Sequence, residues 1–492
     1  VVQFADDAFY YFKIAQNIVN AHTVTFDGQS VTNGFHPLWL VVITPLFLIS
    51  SDPVIMLSIV GSFSSTLLFA GYLAGALFIV HRFSFFASSI CAVFAVYFAH
   101  VFSRCNLEIS LLIPLAVAAL LVLSQMDFTF SSRKNLLRAS VLGWLLALMQ
   151  LSRLDAVFLS VTIVALVSLR CLWSGKSRNA WIVVAVAGPS FVTGLVYLVV
   201  NYLWFGHIIP VSAMSKQMSG TGLNYVFLNQ LFLARGWIVY SATLTLALFH
   251  LMVYVVRKQT FSFWTEGALN ASIVVSIFMI MYTSYHLLRT SWFLWDWYLY
   301  PALLGIFFVL PFWLDIVRAK LETTWSGRCA FVVRWVPIVA FCLVGAETLR
   351  QAAWLFKNVE HSYVYQNYRI AGMLNEILEA GPRLGMGDRA GSLAYFYRGP
   401  VTQLEGLVGD YNLPRAIAAN ELGEYITARG VKFVVSWDGP NVPYEKWALT
   451  IPDPKLSLGP FSELQMCSSS EALRDLNPAG SVYVWKWPGC SP

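Results

Sequence analysis

The sequence predicts an α-helical polytopic membrane protein, with about ten transmembrane helices and a C-terminal extracytoplasmic α/β domain. Of its 492 residues, 58% are hydrophobic and only 12% charged, with a mean hydropathy of +0.64. A soluble globular domain carries roughly 25% charged residues. Apolar runs approaching the roughly 20 residues that cross a hydrocarbon core of about 30 Å recur from residue 54 to residue 350. From residue 351 onward charged residues, Gly and Pro return.

Three regions follow: an outer loop with juxtamembrane helices at 1–53, a transmembrane domain at 54–350, and an α/β domain at 351–492. The expected spans are 54–80, 83–103, 107–124, 137–151, 156–173, 180–205, 237–256, 268–288, 297–317 and 330–350. Alternate loops carry the cations: Arg82; Arg133, Lys134 and Arg138; Lys176 and Arg178; Arg257 and Lys258; Arg318, Lys320 and Arg328. The positive-inside rule makes these loops cytoplasmic, so an even number of spans places both terminal regions outside. The run Pro37–Ile49 is too short to cross, and a crossing there would reverse every later loop. It is assigned to the membrane surface or to a re-entrant helix. Val1 opens without a methionine on an acidic aromatic motif, as expected of a chain truncated upstream that lacks a first membrane helix.

In the last region 369–380 and 414–429 read as helices, and Val431–Trp437 and Ser481–Trp485 as strands. Gly385-Met386-Gly387-Asp388 lacks the third glycine and the strand context of a nucleotide loop. Cys91, Cys105, Cys171, Cys329 and Cys342 lie in or beside apolar runs without metal spacing and read as small buried hydrophobes. Cys467 and Cys490 can pair if their segment is outside the cytosol. The net charge of +6 sits in loops and implies no nucleic-acid partner.

The candidate chemistry lies on the outer side. Asp6 and Asp7 are adjacent acids followed by Phe9, Tyr10, Tyr11 and Phe12, and they project in different directions. One carboxylate can act as a base while the other caps the helix or binds a cation. Other ionisable groups interrupt apolar runs at the outer helix ends: Arg104, Glu108, Arg153, Asp155, Lys216, His286, Arg289 and Asp296. Such groups are costly at a membrane boundary and mark functional positions, with interfacial ion pairing as the structural alternative. Trp292, Trp295, Trp297 and Tyr298 either belt the interface or line a sugar site.

This order of features resembles the GT-C superfamily of membrane glycosyltransferases, which take sugars from polyprenyl-phosphate donors. Asp6-Asp7-Ala8-Phe9-Tyr10-Tyr11 looks like the family's acidic outer-loop motif, and Asn33-Gly34-Phe35-His36-Pro37-Leu38-Trp39 like the entrance to its second juxtamembrane helix. The resemblance implies that Asp7, ahead of Asp6, is the general base or metal-associated acid, leaving open a divalent cation such as Mg or Mn on the pair. It implies substrate-binding roles for His36, Arg104, Glu108, Arg153, Asp155 and Lys216, and Arg289, in an outer cluster with the aromatics that follow it, is a further substrate-binding candidate by its position. The implied partners are membrane lipid, a lipid-linked sugar donor, and a glycan, lipid or protein acceptor. The Trp-Trp-Asp signature of oligosaccharyltransferases is absent from the C-terminal segment, which disfavours en bloc transfer to asparagine. A transporter or flippase of lipid-linked substrates is the rival class, though the sequence shows no convincing repeat. A non-catalytic glycan-binding membrane protein is a third.

Overall fold

The computed structural model describes residues 4–127, 132–173, 180–217, 222–256, 266–290, 293–324, 328–357, 359, 362–378, 380–419, 421–436, 446–451, 462–467 and 483–487. Lys176, Arg178, Arg257, Lys258, Trp292 and Cys490, with the side chains of Arg328, Cys329 and Cys467, lie outside the described residues.

Among the described residues, eight helices are long and apolar enough to cross a membrane, which makes this a multi-pass membrane protein. They are Pro53–Arg82, Phe85–Ser103, Arg133–Ser152, Leu154–Trp173, Ala180–Phe205, Gly236–Val256, Glu266–Arg289 and Asp296–Thr323. The expected run at 107–124 is the shorter helix Ile109–Leu123, and the run at 330–350 lies within the helix Arg328–Lys357. Polar caps fix where the helices start. Asp52 accepts from Val54 N at 2.8 Å and Ile55 N at 2.9 Å, with Pro53 as the first helical residue. Ser84 and Ser132 cap the helices that follow them.

The helices differ in solvent. The apolar window of Glu266–Arg289 is 61% buried, so that helix is central, whereas that of Ala180–Phe205 is 17% buried and exposes Trp181, Phe191 and Leu203. Apolar side chains all round the second helix fit lipid contact. Cys91, Cys105 and Cys171 are buried as expected, but Cys342 is exposed.

Pro37–Leu48 is among the shorter apolar helical segments. It forms the helix Pro37–Ile43 and a 3₁₀ turn Thr44–Leu48, burying Trp39, Leu40, Ile43 and Phe47 while exposing Val41, Leu48 and Ile49. Such a two-sided apolar element suits the membrane surface.

The C-terminal region starts with the helix Tyr363–Ile377. Its sheet comprises β1 (Leu384–Met386), β2 (Val401–Gln403), β3 (Phe433–Ser436) and, after β4 (Lys446–Ile451) and β5 (Ser462–Cys467), β6 (Tyr483–Lys486). The order is β2-β1-β3-β6, parallel except for β6, and β4 and β5 pair separately. The expected helix at 414–429 is two, Asn412–Ala419 and Leu422–Ala428. Gly385 lies on β1, so the glycine pattern does have the strand context that the sequence seemed to withhold, with the helix Ala390–Phe396 following.

Candidate active site

Asp6 and Asp7 open the helix Asp6–Ala21, whose N-cap is Ala5 and not an aspartate. The helix buries Phe9 and Phe12 against Tyr395, and Phe9 also meets Phe396, so it is clamped by the C-terminal region. Adjacent helical residues project about 100° apart, which sends the two carboxylates to different places. Asp6 Oδ2 accepts from Gly391 N at 2.8 Å, and Asp6 Oδ1 accepts from Ser392 N at 2.8 Å and Ser392 Oγ at 2.7 Å. The turn between β1 and the helix Ala390–Phe396 thus binds a carboxylate of its own chain. A Cβ on Gly391 would lie 2.5 Å from Asp6 O, so this approach requires glycine. Burial pushes the Asp6 carboxyl up to about 6, against the opposing pull of these donors.

Asp7 faces a cavity of about 60 Å³ that also exposes His36, Glu108, Arg153, Ser212, Lys216 and Tyr298. Among the described residues its carboxylate has no hydrogen-bond or ion-pair partner. Burial pushes its carboxyl up to about 7; Lys216 opposes the shift, and Asp6, Glu108 and Asp388 add to it. A carboxylate so placed exchanges a proton near neutral pH.

Arg153 follows the helix Arg133–Ser152, about 30 Å long at 1.5 Å per residue, so the cavity and the cationic end at Arg133 are a bilayer core apart. Its guanidinium is ion-paired with two acids. Nη1 donates to Glu108 Oε1 at 2.8 Å, Nη2 to Asp155 Oδ2 at 2.6 Å and Nε to Asp155 Oδ1 at 2.9 Å. Tyr300 also donates to Asp155 Oδ1, at 3.3 Å. Arg153 is therefore held in an internal clamp by its two acids while still lining the cavity. His36 Nε2 lies 3.8 Å from Glu108 Oε1, and burial lowers its pKa to about 4, so it is neutral there at pH 7.

Lys216 is the cavity's cation without a carboxylate partner among the described residues. It lies with Ser212 on one face of the helix Val211–Gln217, four residues apart. Its Nζ donates to Tyr298 Oη at 3.2 Å. Burial alone would lower the ammonium's pKa, but Tyr298 and Asp7 outweigh it and the value rises above that of an ordinary lysine. Asn33 sets this helix in place: its Oδ1 accepts from Val211 N at 3.0 Å and its Nδ2 donates to Tyr411 Oη at 2.8 Å. Leu407 and Val408 roof the cavity, and a Cβ on Gly34 would fall 2.0 Å from Leu407 O. Behind the Lys216 helix, Tyr202, His207, Ile208, Ile209, Met214 and Tyr411 line a larger apolar hollow of about 460 Å³.

The structure thus gathers Asp7, His36, Glu108, Arg153 and Lys216, with Asp155 behind Arg153. Asp6 points away. Arg104 and Arg289 are exposed at helix ends and do not line the cavity. Sequence reasoning missed the roof and the acceptor role of Tyr298; the aromatic run at 295–298 was the only signal for the latter. Both Asp6 oxygens accept hydrogen bonds from the turn at Gly391 and Ser392 while Asp7 faces the cavity, so the two carboxylates are directed to different places. Among the described residues no three His, Cys, Asp or Glu side chains converge as metal ligands.

No protein-family model matches the chain, and no curated protein matches its sequence. Solved structures do match its fold. ArnT from Cupriavidus metallidurans in the apo state superposes with a TM-score of 0.51 at 12% identity, over 87% of each chain. The archaeal oligosaccharyltransferase AglB from Archaeoglobus fulgidus, in complex with an inhibitory peptide and a dolichol-phosphate, gives 0.51 at 12% identity over 88% of this chain and 65% of that one. The Archaeoglobus fulgidus oligosaccharyltransferase in complex with Zn and sulfate gives 0.50 at 13%, over 88% and 64%. This chain therefore spans about two thirds of the oligosaccharyltransferase's length. The fold that this chain shares with these structures is GT-C-like.

Proposed function

We propose that the protein is a membrane glycosyltransferase that moves a sugar from a polyprenyl-phosphate donor to an acceptor on the extracytoplasmic face. The observation that carries this reading is the cavity itself, which, among the described residues, holds a carboxylate without a partner and an ammonium without a carboxylate. A neighbour with this fold is seen with dolichol-phosphate, a lipid of the proposed donor class. The far helix ends carry Arg82, Arg133, Lys134, Arg138 and Arg318, which supports a cytoplasmic side there and an outer side at the cavity.

In this reading Asp7 takes the proton of an acceptor hydroxyl as its oxygen attacks the anomeric carbon. The carbon–oxygen bond to phosphate breaks, and polyprenyl phosphate leaves with the electron pair. Lys216 meets the charge that develops on it. A single displacement of this kind inverts the anomeric centre. A base titrating near 7 is matched to this task, being half ionised yet still basic at neutral pH.

The test uses membranes carrying the full chain and a panel of radiolabelled undecaprenyl-phosphate hexoses and pentoses. One donor is expected to be consumed, with activity falling as pH drops through about 7. Asp7→Asn is expected to lower that turnover by about 10²- to 10⁴-fold. Undiminished transfer in Asp7→Asn would falsify the assignment of the base.

A further inference from the structure

Lys216 and Asp7 line one cavity, carry opposite charges, and sense each other electrostatically. Yet no ion pair within 4 Å joins them; the ammonium instead donates to the Tyr298 hydroxyl at 3.2 Å. Tyr298 is buried, so its place is set by packing and not by solvent. Its ring carries the Arg153 guanidinium 4.7 Å from the centroid, and its backbone carbonyl accepts from Tyr282 Oη at 3.4 Å. The Lys216 ammonium lies 5.8 Å from the same centroid. The phenol is a neutral acceptor held rigidly between the cavity's two cations.

We infer that Tyr298 is a positioning residue that parks the Lys216 ammonium away from Asp7, keeping the base unpaired and the ammonium available for an anionic leaving group. The inference rests on the glycosyltransferase reading for its purpose, but the parking itself is a property of the cavity. A neutral acceptor is what this requires. A carboxylate in place of the phenol would neutralise the ammonium, as Glu108 and Asp155 neutralise Arg153. With no acceptor there, the ammonium would seek the nearest free anion. The charged groups facing Asp7 are Lys216, Glu108 from the turn before Ile109–Leu123, Asp388 from the turn before Ala390–Phe396, and Asp6 from its own helix. Of these only Lys216 can pair with it. His36, also in the cavity, is neutral at pH 7, and Arg153 is committed to its two acids.

The experiment reads Asp7 directly and uses no sugar donor. Dicyclohexylcarbodiimide modifies protonated carboxyls, so labelling of the detergent-solubilised full chain from pH 5 to 9, located by mass spectrometry, gives the midpoint at which Asp7 ionises. The wild-type midpoint is expected near 7. Tyr298→Phe keeps the ring under Arg153 and removes only the hydroxyl. Lys216 then pairs with Asp7 and the midpoint falls by at least about one pH unit, the shift an adjacent opposite charge produces. Adding Lys216→Met to Tyr298→Phe returns the midpoint to the wild-type value or above it, which a purely structural role for Tyr298 would not do. If Tyr298→Phe does not elute as a folded species, Tyr298→Trp serves, since it keeps a ring face and also lacks the phenolic acceptor. An Asp7 midpoint unchanged in the folded hydroxyl-free variant overturns the inference. That outcome is separable from failure of the glycosyltransferase reading, which turns on whether Asp7→Asn still transfers sugar.

Discussion

The floor and the wall of the cavity carry the same kinds of side chain and treat their charges in opposite ways. On the floor, Glu108, Arg153 and Asp155 close on one another at 2.6–2.8 Å, with Arg153 2% exposed. On the wall, Asp7 has no partner among the described residues and Lys216 rests on a neutral phenol. A buried ion must be paired, so the closed triad is the arrangement that folding favours. The open pair is tolerated at a cost, and tolerated strain of this sort concentrates at functional sites. Pairing, more than charge itself, separates a clamp from a reactive group here.

The comparison is broken most severely at the floor. Replacing Arg153 with Met strands Glu108 and Asp155 as buried, uncompensated carboxylates, and removing one partner of a buried pair costs about 3–5 kcal/mol. The variant is expected to lose most of its folded yield and to unfold at a much lower temperature in detergent. Arg153→Met combined with Glu108→Gln and Asp155→Asn removes the stranded charges and recovers much of that stability. If the single variant is as stable as wild type, the triad is not the clamp described here.

The same contrast explains what the sequence could and could not disclose. Membrane spans are written in local apolar runs, and those at 83–103 and 180–205 coincide with the helices Phe85–Ser103 and Ala180–Phe205. Asp7, Glu108, Arg153 and Lys216 were visible because ionisable groups stand out at apolar boundaries. Their pairing was hidden. Arg153 meets an acid 45 residues earlier, and Asp6 meets a backbone amide 385 residues later. No local pattern encodes such distances. β1 and β2, three residues each, are too short to show strand alternation, so the turn that captures Asp6 was invisible as well.

A smaller effect separates the two adjacent aspartates. Asp6→Ala leaves the buried amides of Gly391 and Ser392 without their acceptor, a loss of about 1–3 kcal/mol, and loosens the C-terminal region. Limited proteolysis should then cut that region faster, with Asp6→Asn intermediate because one oxygen remains. Asp7→Asn should act oppositely. The carboxyl's folded value near 7 lies above its ordinary 3.8, so the stability contributed by its protonated form is complete below about 3.8 and lost as pH rises through 7. The Asn variant is therefore expected to melt higher than wild type at pH 8, with the gap closing toward pH 4. Equal melting of the two across that range would show that Asp7 is not held in an unfavourable ionised state.

The smallest effect is expected outside the cavity. Arg104 and Arg289 are exposed at helix ends, as Arg153 would have been had it served only as an interfacial charge. Exposed charges of this kind contribute about 0–1 kcal/mol, because water solvates them whether or not the chain is folded. Arg104→Ala and Arg289→Ala should each leave the melting temperature within about 2 °C of wild type, since about 1 kcal/mol moves a chain of this size by only a few degrees. Sugar transfer should change less than about twofold, because neither guanidinium reaches the space shared by Asp7 and Lys216. A tenfold loss in either variant would place a cation at the site that the closed cavity does not include, and Lys216 would no longer be the sole anchor for an anionic substrate.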